Sequence, residues 1–312
     1  MKKVFIDGSE GTTGLRIHER LEGRSDIELL KIDSDKRKDP AEIKKFINAS
    51  DITFLCLPDA AAVEAVELCD DPDTVIIDAS TAHRTLPGWA YGFPELSKEH
   101  RKAICEGKRI AVPGCYASGF IALAYPLIKE GILPADYPVS VFAASGYSGG
   151  GKKLIAAYEE EGRDVKFDSA RMYAWGQSHK HLKEMKAITG LAREPLFSPF
   201  TTNYHSGMIV QLPLYTELLS KKLRPEELRD ALAAYYEGER FIKVMPFGFE
   251  EGGALFTDAC AGRDDMEIFV CGNEERVVVA SRFDNLGKGA SGAAIQCMNL
   301  VMGAEESAGL VL

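Results

Sequence analysis

The fold is decided by residues 2–14, which read KKVFIDGSEGTTG. The short apolar run predicts a β-strand, the glycines predict a tight turn, and residues 15–21 repeat apolar side chains at helical spacing. Strand, glycine turn and helix together favour nucleotide binding, because glycines let the backbone approach a pyrophosphate and the helix start offers N–H groups. The spacing is GxxGxxG and not the commoner GxGxxG, so its position carries the prediction. The predicted contacts are Gly8, Ser9, Gly11, Thr12, Thr13 and Gly14.

The same alternation continues along the first third of the chain. Apolar strands are predicted at 27–32, 52–57 and 75–79, and helices at 41–48 and 61–69. Alternating strands and helices with almost wholly apolar strands predict a parallel sheet that is covered on both faces. The expected class is therefore α/β, with a Rossmann-type domain.

Beyond Cys115 the pattern changes. Strands are predicted at 139–144, 208–214, 267–271 and 276–281, without regular helical crossovers, so a mixed α+β domain is expected. Residues 289–302 carry an apolar helical face that we place back against the first domain. The predicted division is 1–116 with 288–312 for dinucleotide binding, and 117–287 for catalysis, substrate binding and oligomerisation.

Composition excludes several classes of protein. The 312 residues are 46% hydrophobic and 27% charged with a net charge of -10, and no basic stripe suits nucleic acid. The apolar start is too short for a secretory signal, and no run reaches membrane-spanning length. The seven cysteines form no CxxC pair, so neither a disulfide framework nor a metal site is expected. We expect a cytoplasmic protein.

The end of the second predicted strand addresses the choice of dinucleotide. Asp33 alone favours NAD, because a carboxylate binds the ribose hydroxyls and repels a 2'-phosphate. Ser34, Lys36, Arg37 and Lys38 instead offer a hydroxyl and three cations to that phosphate. NADP is the favoured cofactor, and a solvated charge run is the competing interpretation.

One cysteine stands apart from the others. Cys115 lies between a Pro-Gly turn and a predicted helix at 120–128. A helix N-terminus stabilises a thiolate, and its N–H groups hold an oxyanion on a carbon bonded to the sulfur. We therefore interpret Cys115 as a nucleophile and the other cysteines as structural residues.

The acid/base partner is sought among six histidines. His179 and His181 stand two residues apart at the predicted start of a helix, with Glu184 one turn later. Residues two apart on a helix point in opposite directions, so one imidazole is expected to act and the other to be structural. The pattern alone does not choose between them. A metal site is the lesser alternative for the pair.

The chain also resembles a family, the shorter type of N-acetyl-gamma-glutamyl-phosphate reductase of arginine biosynthesis. Seven motifs occur in family order: GSEGTTG at 8–14, DASTAHR at 78–84, YGFPEL at 91–96, PGCYASG at 113–119, SGYSGGGK at 145–152, HKH at 179–181 and DNLGKGA at 284–290. The resemblance implies that NADPH reduces N-acetyl-gamma-glutamyl phosphate to the 5-semialdehyde through a thioester on Cys115. It also implies a histidine as the acid/base group, for which His179 is favoured, His181 follows closely and His205 is a more distant candidate. A small-molecule acyl phosphate and a homo-oligomer, dimer or tetramer, are the implied partners.

Further roles follow from the residue types within these motifs. Arg84 and Lys152 are predicted to bind the carboxylate or the phosphate of the substrate, with surface ion pairs as the alternative. Ser148 and Gly149 are predicted in a phosphate-holding loop. Ser80 is predicted near the nicotinamide, and Asn285 is predicted to bond its carboxamide or to cap the closing helix.

Three other functions remain open at this point. An enzyme of the same mechanism, such as an aspartate-semialdehyde dehydrogenase, would use the same thiol and cofactor. A non-catalytic NADP-binding protein would keep the fold without the chemistry. A cysteine hydrolase would leave the glycine loop unexplained.

Overall fold

A computed structural model describes residues 1–312, and contacts divide the chain into two units. Unit 1 comprises Met1–Gly114 and Ala290–Val311. Unit 2 comprises Cys115–Gly289 and Leu312. The chain thus leaves unit 1 immediately before the predicted nucleophile and returns after the DNLGKG segment.

Unit 1 contains a wholly parallel six-stranded sheet of order β2-β1-β3-β4-β6-β5. Its elements up to Gly114 are β1 (Lys2–Asp7), α1 (Thr12–Leu21), β2 (Ile27–Leu30), α2 (Pro40–Ala49), β3 (Ile52–Leu55), α3 (Asp59–Glu67), β4 (Val75–Asp78), β5 (Ala90–Tyr91), α4 (Lys98–Glu106) and β6 (Arg109–Ala111). The predicted strand, turn and helix at the start of the chain are confirmed.

Alternation along β1 explains how both faces of this sheet are covered. Val4 and Ile6 pack into one hydrophobic cluster with Ile17 of α1. Phe5 points to the other face and joins Ile47 of α2 and residues of α3. Asp7 follows Phe5 on that second face, because side chains two apart share a face of a strand. The last residue of β1 therefore places a carboxylate at the end of an apolar row.

Unit 2 contains a mixed seven-stranded sheet of order β11-β12-β13-β10-β7-β9-β8. Its elements are α5 (Cys115–Lys129), β7 (Ser140–Gly146), α6 (Lys152–Glu159), β8 (Arg171–Met172), α7 (Leu182–Thr189), β9 (Leu196–Thr202), β10 (Met208–Tyr215), α8 (Pro225–Tyr235), β11 (Ile242–Val244), β12 (Met266–Gly272) and β13 (Arg276–Phe283). Parallel and antiparallel pairs both occur, as the sequence predicts for this region.

Helix α5 is buried along most of its length and packs on β10 and β13. Gly119 permits this approach, because a Cβ there would lie 2.5 Å from Cγ2 of Val210. The hydroxyl of Ser281 also donates to the Gly119 carbonyl over 3.1 Å. The sheet therefore fixes the helix that begins at Cys115.

The last helix, α9 (Gly292–Met302), belongs to unit 1 and contributes Ala294 and Met298 to the cluster around β1. The predicted return of the C-terminal helix to the first domain is confirmed. Its predicted start at residue 289 is wrong, because Gly287–Ser291 forms a π-helical turn first. Strands β5, β6, β8, β9 and β11 were not predicted, since four are two or three residues long and β9 contains Pro199.

Candidate active site

Cys115 is the first residue of α5, so the helix begins five residues earlier than the sequence pattern predicts. A helix start directs backbone N–H groups and the positive end of the helix dipole toward the side chain at that position. The thiol is partly exposed, whereas Cys260 and Cys297 are buried. Position and accessibility together favour a reactive thiol.

Two tyrosines lie close enough to Cys115 for its charge to affect their phenols, and neither was predicted. Burial raises the pKa of Tyr116 well above its ordinary value, and the neighbouring Tyr173 and Cys115 raise it further. Burial also raises the pKa of Tyr173, to which the charge of Cys115 again contributes. Both phenols therefore stay protonated, and the Tyr116 hydroxyl donates to the Phe200 carbonyl over 3.3 Å. The place of Tyr116 directly after the cysteine was the available sequence signal.

His179 and His181 both lie against Tyr116, with ring centroids 5.8 and 6.0 Å from its ring. Their own centroids are 4.6 Å apart. The prediction that the two imidazoles point in opposite directions is wrong, because residues 179–181 form a turn and α7 begins only at Leu182. Both imidazoles therefore remain beside the residue that follows Cys115.

The two histidines differ in burial and in hydrogen bonding. His181 is 5% exposed, whereas His179 is half-buried. The backbone N–H of His181 donates to Nδ1 of His179 over 3.2 Å. Nδ1 is thus an acceptor, and neutral His179 carries its proton on Nε2. His205 lies elsewhere, with its exposed ring edge-on to Tyr147.

The segment before α9 also packs against Cys115. A Cβ on Gly289 would lie 2.9 Å from Cβ of Cys115 and 3.2 Å from Cε2 of Phe283. Asp284 shapes this segment, because its Oδ1 accepts the N–H groups of Leu286 and Gly287. A glycine is therefore required where the chain passes the nucleophile.

The loop after β7 is fixed by the residue next to Asp284. Asn285 donates from Nδ2 to the Ser148 hydroxyl over 3.0 Å and accepts the Gly207 N–H over 2.9 Å. Gly149 lies beside it, since a Cβ there would be 3.4 Å from that Nδ2. The structure thus brings together Ser148, Gly149 and Asn285. Lys152 follows as the exposed first residue of α6.

Asn285 does not cap the closing helix, because Ser291 occupies that position. That alternative is wrong. The predicted contact with the nicotinamide carboxamide stays a prediction.

In unit 1 the glycine loop has the geometry of a phosphate cradle. Gly8 has φ +84°, and a Cβ there would lie 2.4 Å from the Cys56 carbonyl oxygen. A Cβ on Gly14 would lie 2.3 Å from the Gly8 carbonyl oxygen. The Thr12 hydroxyl, at the start of α1, is buried without a hydrogen-bond partner. These residues fit a bound pyrophosphate, since glycines, a helix start and an unused hydroxyl meet in one loop.

The predicted 2'-phosphate contacts form exposed ion pairs in this structure. Lys36 Nζ lies 3.4 Å from Asp33 Oδ2, and Arg37 pairs with Glu10 of the glycine loop. Ser34 is exposed between them. Exposed pairs contribute about 0–1 kcal/mol, so a phosphate can replace these carboxylates as the partner of either cation.

Ser80 and Arg84 hold the loop after β4. The Ser80 hydroxyl donates to Asp78 Oδ2 over 2.6 Å, and the same oxygen lies 2.6 Å from Nδ1 of His83. Arg84 is buried and donates to the carbonyls of Val112 and Ala79 over 2.8 and 3.2 Å. The surface ion pair considered for Arg84 is therefore wrong, and its predicted substrate contact stays a prediction.

Comparison with known proteins gives the family. The semialdehyde dehydrogenase NAD binding domain matches residues 3–104, and the semialdehyde dehydrogenase dimerisation domain matches residues 115–285. The N-acetyl-gamma-glutamyl-phosphate reductase 2 of Nostoc sp. is 45% identical over 99% of both chains. That of Pseudomonas putida is 44% identical over 98% of both. The chain belongs to the N-acetyl-gamma-glutamyl-phosphate reductase family.

Solved structures show that the fold of this chain also occurs in more distant proteins. Aspartate semialdehyde dehydrogenase II of Vibrio cholerae superposes with a TM-score of 0.71 at 14% identity, covering 97% of this chain and 98% of that one. The enzyme of Francisella tularensis gives the same TM-score at 16% identity over 97% and 100%. None of the helices in the chain has the length and apolar character to cross a bilayer.

Proposed function

We propose that the protein reduces N-acetyl-gamma-glutamyl phosphate to N-acetyl-glutamate 5-semialdehyde with NADPH, through a thioester on Cys115. The observation that carries the proposal is the partly exposed thiol at the first residue of α5, beside a tyrosine that contacts two imidazoles. Relatives about 45% identical over nearly their whole length carry the reductase name. The likeness to aspartate semialdehyde dehydrogenases supports the fold alone.

The first half of the reaction is acyl transfer to sulfur. An imidazole of the histidine pair takes the proton of Cys115, and the thiolate attacks the acyl carbon. The carbon–oxygen bond to phosphate breaks, and the proton passes from the imidazolium to the leaving phosphate. Backbone N–H groups at the start of α5 hold the tetrahedral oxyanion. Within the pair we favour His179, because its ring is more accessible than the buried ring of His181.

The second half is reduction of the thioester. NADPH, when bound, supplies a hydride. The thioester carbon accepts it, and the N–H groups of α5 hold the hemithioacetal oxyanion. Its collapse breaks the carbon–sulfur bond, releases the aldehyde and restores the thiolate. One proton is consumed overall, and it leaves with the phosphate.

The remaining predicted residues receive supporting roles in this proposal. Gly8, Gly11, Gly14 and the Thr12 hydroxyl hold the pyrophosphate, and Lys36 and Arg37 hold the 2'-phosphate. Ser148, Gly149 and Lys152 bind the phosphate of the substrate, and Arg84 its carboxylate. We further propose a homo-oligomer, dimer or tetramer, that works in the cytoplasm. The match of residues 115–285 to a dimerisation domain supports the proposed homo-oligomer.

The reverse reaction tests the substrate. The protein is incubated with NADP and inorganic phosphate, and NADPH formation is followed with either semialdehyde. We expect N-acetyl-glutamate semialdehyde to be oxidised and aspartate semialdehyde to be left unchanged. Exclusive use of aspartate semialdehyde would assign the protein to the other substrate, and cofactor binding without either oxidation would favour a binding protein.

A further inference from the structure

We infer that the carboxylate of Asp7 recognises the exocyclic amino group of the purine in the proposed dinucleotide. This inference rests on the proposed NADP-dependent function and adds a specificity determinant to it. The starting observation is the carboxylate that follows the apolar residues Val4–Ile6 at the end of β1, one residue before the glycine loop.

Asp7 is a buried carboxylate that the fold leaves incompletely bonded. The residue is 6% exposed, and its Oδ2 has no hydrogen-bond partner. Burial raises its pKa to about 6, partly opposed by the Gly8 N–H. A buried acceptor without a partner is unfavourable in a folded protein, so a polar group of a ligand is the natural complement.

The carboxylate borders a cavity of about 380 Å³ on one face of the parallel sheet. Its apolar wall comes from α2, the end of β3 and α3, and is formed by Ile43, Leu57, Ala61, Ala65 and Leu68. Charged residues at its border are Arg37, Lys38, Glu64 and Glu67. An apolar cavity with one buried acceptor suits a flat ring that carries one hydrogen-bond donor.

The position of the cavity selects among such rings. It lies beside the ends of β1 and β3, which are neighbours in the order β2-β1-β3. The chain proceeds from β1 outward to β2 and from β3 outward to β4, so this is the point where the strand order reverses and ligands bind in open parallel sheets. Arg37, a proposed 2'-phosphate contact, shares the cavity border. A purine attached to that ribose reaches the same cavity, and the amino group of adenine supplies the donor.

The test changes the hydrogen-bonding groups of both proposed partners, the carboxylate of Asp7 and the amino group of the purine. The dissociation constants of NADPH and of its hypoxanthine analogue, which has a carbonyl oxygen in place of the amino group, are measured from dinucleotide fluorescence. The proteins are the wild type, Asp7→Asn and Glu64→Gln, the last being a matched neutralisation of an exposed carboxylate on the same cavity. Far-UV circular dichroism checks that each variant folds.

We expect the wild type to bind NADPH about ten- to a hundred-fold more tightly than the analogue, because a hydrogen bond to a charged group is lost. Asp7→Asn should abolish or reverse this preference, since an amide donates to the carbonyl oxygen. Glu64→Gln should keep it. Equal preference ratios in the wild type and Asp7→Asn would overturn the inference.

Two further measurements distinguish a failure of this inference from a failure of the proposed function on which it rests. A wild type that binds neither dinucleotide contradicts the NADP-dependent function itself. Displacement of NADPH by 2',5'-ADP is expected if the purine half of the dinucleotide fills the cavity. Stronger displacement by 5'-AMP than by 2',5'-ADP would instead assign the cavity to a free adenine nucleotide and overturn the dinucleotide assignment.

Discussion

The backbone N–H of His181 donates a hydrogen bond to Nδ1 of His179 over 3.2 Å. This bond fixes the neutral His179 tautomer with its proton on Nε2. Binding a second proton at Nδ1 would cost that hydrogen bond. Because Nε2 already carries the proton, neutral His179 can accept the Cys115 proton only at Nδ1, in exchange for the bond from the His181 N–H.

The tautomer of His179 is directly measurable. In protein with 15N-labelled histidine, at a pH where the imidazoles are neutral, we expect Nδ1 of His179 to resonate as an unprotonated nitrogen. The resonance is assigned by its loss in His179→Asn, with His205→Asn as the control. A protonated Nδ1 would contradict the hydrogen bond described here.

The substitutions His179→Asn and His181→Asn separate the two histidines functionally. We expect His179→Asn to lower kcat by about 10²–10⁴-fold, the usual contribution of a general acid/base group. His181→Asn should lower it less if its imidazole mainly supports the turn. A larger loss of kcat in a folded His181→Asn variant would assign proton transfer to His181.

Gly289 is expected to control the reactivity of the thiol. Gly289→Ala places a Cβ 2.9 Å from Cβ of Cys115, so the nucleophile or the segment must shift. We expect at least a ten-fold slower alkylation of Cys115 by iodoacetamide and a fall in kcat larger than the change in KM. Gly176→Ala is the control, because only Oγ of Ser178 lies near its Cβ position, at 3.8 Å. Unchanged alkylation in Gly289→Ala would show that the contact does not position Cys115.

Arg37 should contribute to the choice of dinucleotide. It pairs with Glu10, and removing its charge is expected to weaken NADPH binding about ten-fold while NADH binding changes little. Glu10→Gln frees the guanidinium and should strengthen NADPH binding. Both constants are measured by fluorescence titration. Equal weakening of NADPH and NADH binding by Arg37→Ala would show that Arg37 does not bind the 2'-phosphate.

Asp7 should lower stability in the absence of cofactor. Its pKa in the fold is about 6 against an ordinary 3.8, so the unfolded chain ionises more readily. The free energy of unfolding therefore falls as pH rises from about 4 to about 6, by roughly 3 kcal/mol in total, and stays lowered at higher pH. Asp7→Asn should consequently melt at a higher temperature than the wild type at pH 7.5.

The pH dependence of stability distinguishes the effect of the raised Asp7 pKa from a stabilisation that Asp7→Asn would give at any pH. The advantage of Asp7→Asn should shrink as the pH falls toward 4, because the carboxyl is then protonated in the fold and only partly ionised in the unfolded chain. Glu64→Gln, an exposed substitution, should change stability by less than about 0.5 kcal/mol at either pH. An advantage of Asp7→Asn that does not depend on pH would contradict the raised pKa.

The sequence predicts the parallel sheet well because its strands carry local signals: apolar runs, glycine turns and helical periodicity. It also predicts Cys115, since a Pro-Gly turn marks the start of α5. It fails at the histidines, because helical geometry was assumed for residues that form a turn. Tyr173 and Gly289 come near Cys115 only through long-range packing, which no local pattern encodes. The sequence shows Asp7 as a carboxylate at the end of a predicted strand. Its burial and the lack of a hydrogen-bond partner for Oδ2 depend on the packing of α2 and α3.

The central claim is the covalent intermediate on Cys115, and the mass of the protein tests it most directly. The acyl phosphate is generated in place by an acyl kinase with ATP, NADPH is withheld, and the reaction is quenched in acid. We predict an added N-acetyl-glutamyl group on the peptide that contains Cys115, its loss when NADPH is added before the quench, and neither adduct nor turnover in Cys115→Ser. Undiminished turnover by Cys115→Ser, or an adduct on another residue, would contradict the thioester mechanism.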